Sequence, residues 1–239
     1  MAMIGELNLA DGLIWYFVFV YSTVVHEAGH AWAALKLGDD TAHRFGQVSL
    51  DPVPHMRREP LGMIVVPLLS WFFNGGRWMM GWASAPYDPE WAARYPRRAA
   101  LMAAAGPAAD VVLLLVAVFL MRWGLDAGVF KVPMRPDFAK VVVAADAAAR
   151  YGAAWAFCAQ LLSVTFTLQV VLVPFNLLPL PPLDGSVLPL LVLGPRQAER
   201  YQEFLLNQTV RVFGLVVAWQ VYAAFLPSIF QGALGLLYR

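Results

Sequence analysis

Long apolar runs leave this chain one class of solution. Residues 13–37, 99–121, 152–178 and 210–238 each reach the roughly 20 residues that a helix needs to cross a bilayer, and Leu61–Phe73 is a shorter run, the second of the five in chain order. A soluble globule would have to cover these runs with polar side chains. Only 14% of the 239 residues are charged and 60% are hydrophobic, where about 25% charged is usual for a soluble domain. The formal net charge of +1 gives no basic footprint for nucleic acid. The lone Cys158 excludes a disulfide framework and a cysteine-based metal cluster. No Lys or Arg precedes Lys36, so the first run is not expected to be a cleaved signal peptide. The expectation is one integral-membrane domain over 1–239. It is all-α and polytopic, with about four to five transmembrane helices, a re-entrant segment and a small membrane-associated β element. Residues 47–50 alternate polar and apolar and predict a short strand, and residues 81–85 are a weaker candidate.

The first apolar run carries chemistry. His26-Glu27-Ala28-Gly29-His30 places two histidines four apart, on one helical face. Two imidazoles suit zinc, and a catalytic zinc keeps one position open for water, whose pKa it lowers to about 7. Glu27, adjacent to His26, is placed to take the proton from that water and deliver it to a leaving amine. Ionisable groups facing lipid would each cost about 2.5 kcal/mol or more. These three must therefore face an interior, and a metal is the simplest partner.

A third ligand has to come from elsewhere at the same depth. Asp110 lies inside the third run. Asp184 follows the fourth, beyond Pro179, Pro181 and Pro182. These prolines preclude a regular helix, and irregular backbone at membrane depth has to line protein or a water-filled cavity. Asp184 is therefore the better ligand, with a helix cap or turn as its plainer role.

Taken together, His26-Glu27-Ala28-Gly29-His30 and Leu183-Asp184-Gly185, the latter preceded by Asn176-Leu177-Leu178-Pro179, resemble the site-2 protease family of intramembrane zinc metalloproteases. Gly106-Pro107-Ala108-Ala109-Asp110 resembles a further family signature that usually ends in Asn. Residues 50–52, 60–62 and 81–83 are similar to a compact bacterial branch without a PDZ domain. The resemblance implies one zinc per chain, held by His26, His30 and Asp184, with Glu27 as general base. It implies hydrolysis of a peptide bond within or near a transmembrane segment of a membrane-protein substrate, as in regulated intramembrane proteolysis. It places Asn176 against the substrate backbone or the oxyanion; capping the broken helix is the alternative. The branch implies a bacterial cytoplasmic (inner) membrane.

Topology follows from the ligands having to meet. His26 and His30 lie toward the C-terminal half of the first run, and the third and fourth runs form a hairpin that returns Asp184 to the side of Arg98. The chain between residues 38 and 98 must then leave and return on one side. The 13 residues of Leu61–Phe73 are therefore expected to dip in and come back, with residues 47–50 in a strand layer that docks an unwound substrate by β-augmentation. That assignment puts eleven Lys and Arg on the motif side, Arg77 included, against six opposite. The positive-inside rule then places the active site nearer the cytoplasmic face. His55, near the start of the re-entrant segment, is either a gate or extra metal ligand, or a surface or hydrogen-bonded histidine. Two other functions compete: a catalytically silent metal-binding scaffold or transporter, and a hydrolase of a small or lipidic substrate. The intact Glu27 argues against the first.

Overall fold

The structure is a computed structural model that describes residues 8–146 and 151–239. The helices in chain order are α1 (Leu9–Leu37), α2 (Thr41–Arg44), α3 (Pro52–Arg58), α4 (Val66–Phe73), α5 (Pro89–Arg94) and α6 (Pro96–Asp126). A ribbon of β1 (Phe130–Lys131) and β2 (Val143–Ala144) follows, then α7 (Gly152–Asn176), α8 (Pro195–Leu206) and α9 (Gln208–Leu237). Among the described residues, four helices are long and apolar enough to cross a membrane: α1, α6, α7 and α9. The low end of the expected count is therefore the right one.

Helix α1 begins where Asn8 accepts a hydrogen bond from the Ala10 amide and ends at Gly38, whose φ of 103° only glycine adopts readily. Its 29 residues extend about 43 Å, so the His-Glu-x-x-His turns lie in its second half. One face, including Trp15, Val18, Ser22, His26 and His30, is buried, while Leu13, Phe17, Tyr21 and Trp32 stay outside. The buried face packs on α6 and α7. The approach to α6 is close because Gly29 has no side chain: a Cβ there would lie 2.9 Å from the Ala105 carbonyl and 3.2 Å from the Ala109 Cβ. Small residues at such crossings let membrane helices pack backbone to backbone.

Residues 61–88 form a hairpin that goes in and returns. A π-helical turn, Leu61–Val65, leads into α4. The chain then reverses at Gly75 and Gly76, both at positive φ. The return limb is extended and lies on the helix: the Trp82 amide donates to the Gly62 carbonyl (3.1 Å) and the Met80 amide to Ser70 Oγ (3.0 Å). Gly62 and Gly81 allow this contact, since a Cβ on either would overlap backbone of the other limb. Asp39 fastens the limb's end to α1, accepting from the amides of Thr41 and Asp88.

The hairpin is deep. Trp71 lies against Gly12 near the start of α1. Trp78 meets Trp15 (5.6 Å between ring centroids) and Phe138 (5.5 Å) of the segment between β1 and β2. Arg77, next to Trp78, is therefore at the end opposite the motif. Among the described residues, moving it leaves ten cations on the motif side and six opposite, so charge contributes less to orientation than the sequence implies.

The β element is elsewhere than expected. The ribbon pairs Phe130 with Ala144 and Lys131 with Val143, at the far end from the motif. Residues 47–50 form no strand. The Gln47 amide closes a turn on Ala42, Gln47 is buried while Leu50 is 60% exposed, and Asp51 caps α3 by accepting from Val53. The alternation there reflects a turn with one buried glutamine. Residues 81–85 are extended but form no sheet strand.

The last helix runs the length of the bundle once, without folding back. Gly214 lies against the Pro181 carbonyl at the motif end, and Tyr238 Oη donates to the Val141 carbonyl at the other. Pro227 sits inside it without splitting it.

The fold predicts that the hairpin does not cross. In a Cys158→Ser background, single cysteines replacing Arg57 and Arg94 should react with a membrane-impermeant thiol reagent from one side, and a cysteine replacing Asp137 from the other. Labelling of the first two from opposite sides would overturn the hairpin.

Candidate metal centre

The site forms where α1, α6 and the segment after α7 meet. His26 and His30 project from α1 one turn apart, and their Nε2 atoms are 3.0 Å apart. The chain leaves α7 at Asn176, folds back through its prolines and enters a short turn, Asp184–Ser186. The Asp184 carboxylate sits 3.1 Å from His26 Nε2 and 3.4 Å from His30 Nε2. A tetrahedral ion with bonds of about 2.0–2.1 Å spaces its ligand atoms about 3.3 Å apart, so this donor set fits zinc.

The outer nitrogens are engaged as a metal ligand's must be. His26 Nδ1 donates to Asp110 Oδ2 (2.7 Å), and His30 Nδ1 donates to the Met102 carbonyl (2.8 Å). Each bond fixes the tautomer that leaves Nε2 with its lone pair free. The space beside the two Nε2 atoms is kept by Gly106 of α6. A Cβ there would overlap His30 Nε2 and come within 2.7 Å of His26 Nε2.

The turn carrying Asp184 is held on several sides. A Cβ at Gly185 would overlap the Leu177 and Leu178 carbonyls. Ser186 Oγ donates to the Leu183 carbonyl, and Tyr201 Oη of α8 donates to the Ser186 carbonyl (2.8 Å). Gln202 of α8 also donates to the Ala92 carbonyl on α5, so α8 ties the turn to α5.

Glu27 is buried beside His26 and makes no hydrogen bond or ion pair among the described residues. His26, His30 and Asp184 are the group brought together. Asn176 is the last residue of α7, half-buried, with no side-chain hydrogen bond among the described residues. His55 lies outside the group. It is buried, with Nε2 donating to the Ser49 carbonyl (3.1 Å) and Nδ1 without a partner among the described residues.

Sequence reasoning weighed Asp110 as a lesser ligand and as the end of the signature that Gly106 begins, gave neither residue a role at the histidines, and did not single out Tyr201. A signal for Asp110 was present: an acid inside an apolar run needs a partner.

The sequence profile of Peptidase family M50 matches residues 14–218. The chain belongs to this family. It is also 30% identical over 167 residues to the "Putative zinc metalloprotease YwhC" of Bacillus subtilis (strain 168), covering 70% of this chain. It spans 63% of that relative's length. No solved structure matches. The M50 match runs from the first buried turns of α1 through most of the first half of α9, so it includes every element of the site.

Gly106→Ala should lower zinc content from about one per chain to a small fraction, with helix content unchanged by circular dichroism. Full zinc loading of that variant would mean that the metal does not lie between the two Nε2 atoms.

Proposed function

We propose that this M50 protein is an intramembrane zinc endopeptidase that cuts a peptide bond within or near a transmembrane segment of another membrane protein. One observation carries the reading: His26 Nε2, His30 Nε2 and the Asp184 carboxylate converge beside Glu27 in a helix of membrane length. His26, His30 and Asp184 would hold a zinc ion there, which would supply a Lewis acid to polarise the scissile carbonyl and acidify the attacking water. His26 and His30 offer neutral nitrogens, each held by its outer hydrogen bond, and Asp184 brings a negative charge from a separate part of the chain. Glu27 has no structural partner to leave. It takes the proton from the attacking water and passes it to the departing amide nitrogen. Asn176 donates its amide to the substrate backbone or the oxyanion, adding no charge to an apolar site.

The substrate has to unwind, because a helix hides its carbonyls. The docking role expected of residues 47–50 passes to the extended return limb of the hairpin. Gly81 and Ala83, both half-buried, have backbone amides without partners among the described residues. An unwound segment pairs there by β-augmentation. Water enters from the motif end, nearer the cytoplasmic face of a bacterial inner membrane, as the remaining excess of Lys and Arg supports. A silent metal-binding scaffold would not need Glu27.

The test is Glu27→Gln in liposomes containing a fluorescence-quenched peptide of about 20 apolar residues with a central Gly-Pro break. Zinc content should stay at the wild-type level and cleavage should fall about 10²–10⁴-fold. Undiminished cleavage would refute Glu27 as the base, and wild-type protein that binds zinc but cleaves no membrane peptide would refute the substrate class.

A further inference from the structure

We propose that Asp110 is a positioning residue of the metal centre that supplies a second negative charge to it through His26. The inference rests on the zinc reading above.

The two histidines have different outer partners. His30 donates to a neutral backbone carbonyl, at Met102, whereas His26 donates to the Asp110 carboxylate. The carbonyl at His30 is sufficient to fix a tautomer and hold a ring. A carboxylate at His26 therefore does more than orient: it makes the imidazole a stronger donor at Nε2. Asp110 also has no exposed surface, and its Oδ1 has no partner among the described residues. A buried carboxylate held by one hydrogen bond is unfavourable unless positive charge lies close by. His26 Nε2, the ring's other nitrogen, faces Asp184 and the space kept by Gly106. A dication in that space would sit against the Asp184 carboxylate and the ring that Asp110 holds, and would offset the charge of both acids inside an apolar bundle. With a neutral side chain at 110 the same centre would lose one of the buried negative charges that favour a dication there.

Asn is the discriminating replacement, since it keeps the shape and an acceptor for Nδ1–H and removes only the charge. Zinc dissociation constants are measured by chelator competition on the full chain in detergent, for wild type, Asp110→Asn and Asp110→Ala. We expect Asp110→Asn to weaken binding about 10–100-fold, Asp110→Ala to weaken it at least as much, and the d–d bands of the cobalt-loaded Asp110→Asn protein to shift from those of wild type. Wild-type affinity and an unchanged cobalt spectrum in Asp110→Asn would reduce Asp110 to orientation and overturn the inference. A second readout needs no variant. In zinc-loaded wild type carrying ¹⁵N-histidine, the His26 Nδ1 proton should resonate well downfield of the His30 one. Equal shifts would also overturn the inference. Wild-type protein that takes up no zinc would instead sink the zinc reading beneath it.

Discussion

Three ionisable side chains within five residues of a membrane-length helix set the terms for everything else. Each would cost about 2.5–3.5 kcal/mol if it faced hydrocarbon near the helix centre. The chain removes them from lipid by bringing α6 against α1 at backbone distance, with Gly29 on one helix and Gly106 on the other. That approach puts Asp110 on one side of His26, and the turn after α7 puts Asp184 on the other. His26 pinned between two acids, and His30 pinned between the Met102 carbonyl and Asp184, leave their Nε2 atoms pointing at a common space, which is what a metal needs.

The two ends of the bundle are held together by different means. At the end far from the motif, Ser163 Oγ accepts the amides of Val141 and Val142. A chain of rings, Trp15, Trp78, Phe138 and Phe230, runs from α1 through the hairpin tip to α9. These contacts join α1, the hairpin, the segment between β1 and β2, α7 and α9. The motif end is built differently. Short helices, an extended limb and a proline-broken turn converge there, and α8 fastens them through Tyr201 and Gln202. Rigid helices hold the two histidines, and the irregular segments bring Asp184 and the extended limb.

The membrane class, four spans and the pairing of His26 and His30 with Asp184 were legible because each follows from a strong rule: span length, helical periodicity, and the cost of charge in lipid. The return of residues 61–88 to their starting side was legible from topology alone, since the ligands had to meet. What misled was local pattern. Residues 47–50 alternate as a strand would, but capping by Asp51 and burial of Gln47 made a turn. The depth of the hairpin, and with it the placement of Arg77, depended on ring contacts to Trp15 and Phe138 that no spacing encodes. Asp110 was visible as a departure from a signature that usually ends in Asn. Its hydrogen bond to His26 needed the crossing point of α1 and α6, which Gly29 and Gly106, each inside one of the quoted motifs, set through the absence of side chains.

The central claim is that two motifs more than 150 residues apart in the sequence assemble one zinc site. It is tested most directly by measuring zinc per chain in gently purified wild-type protein beside Asp184→Ala. The account predicts about one zinc in the wild type and its loss or marked weakening in the variant. Equal, tightly held zinc in both proteins would show that Asp184 is not a ligand, and no zinc in the wild type after adding it back would contradict a metal centre altogether.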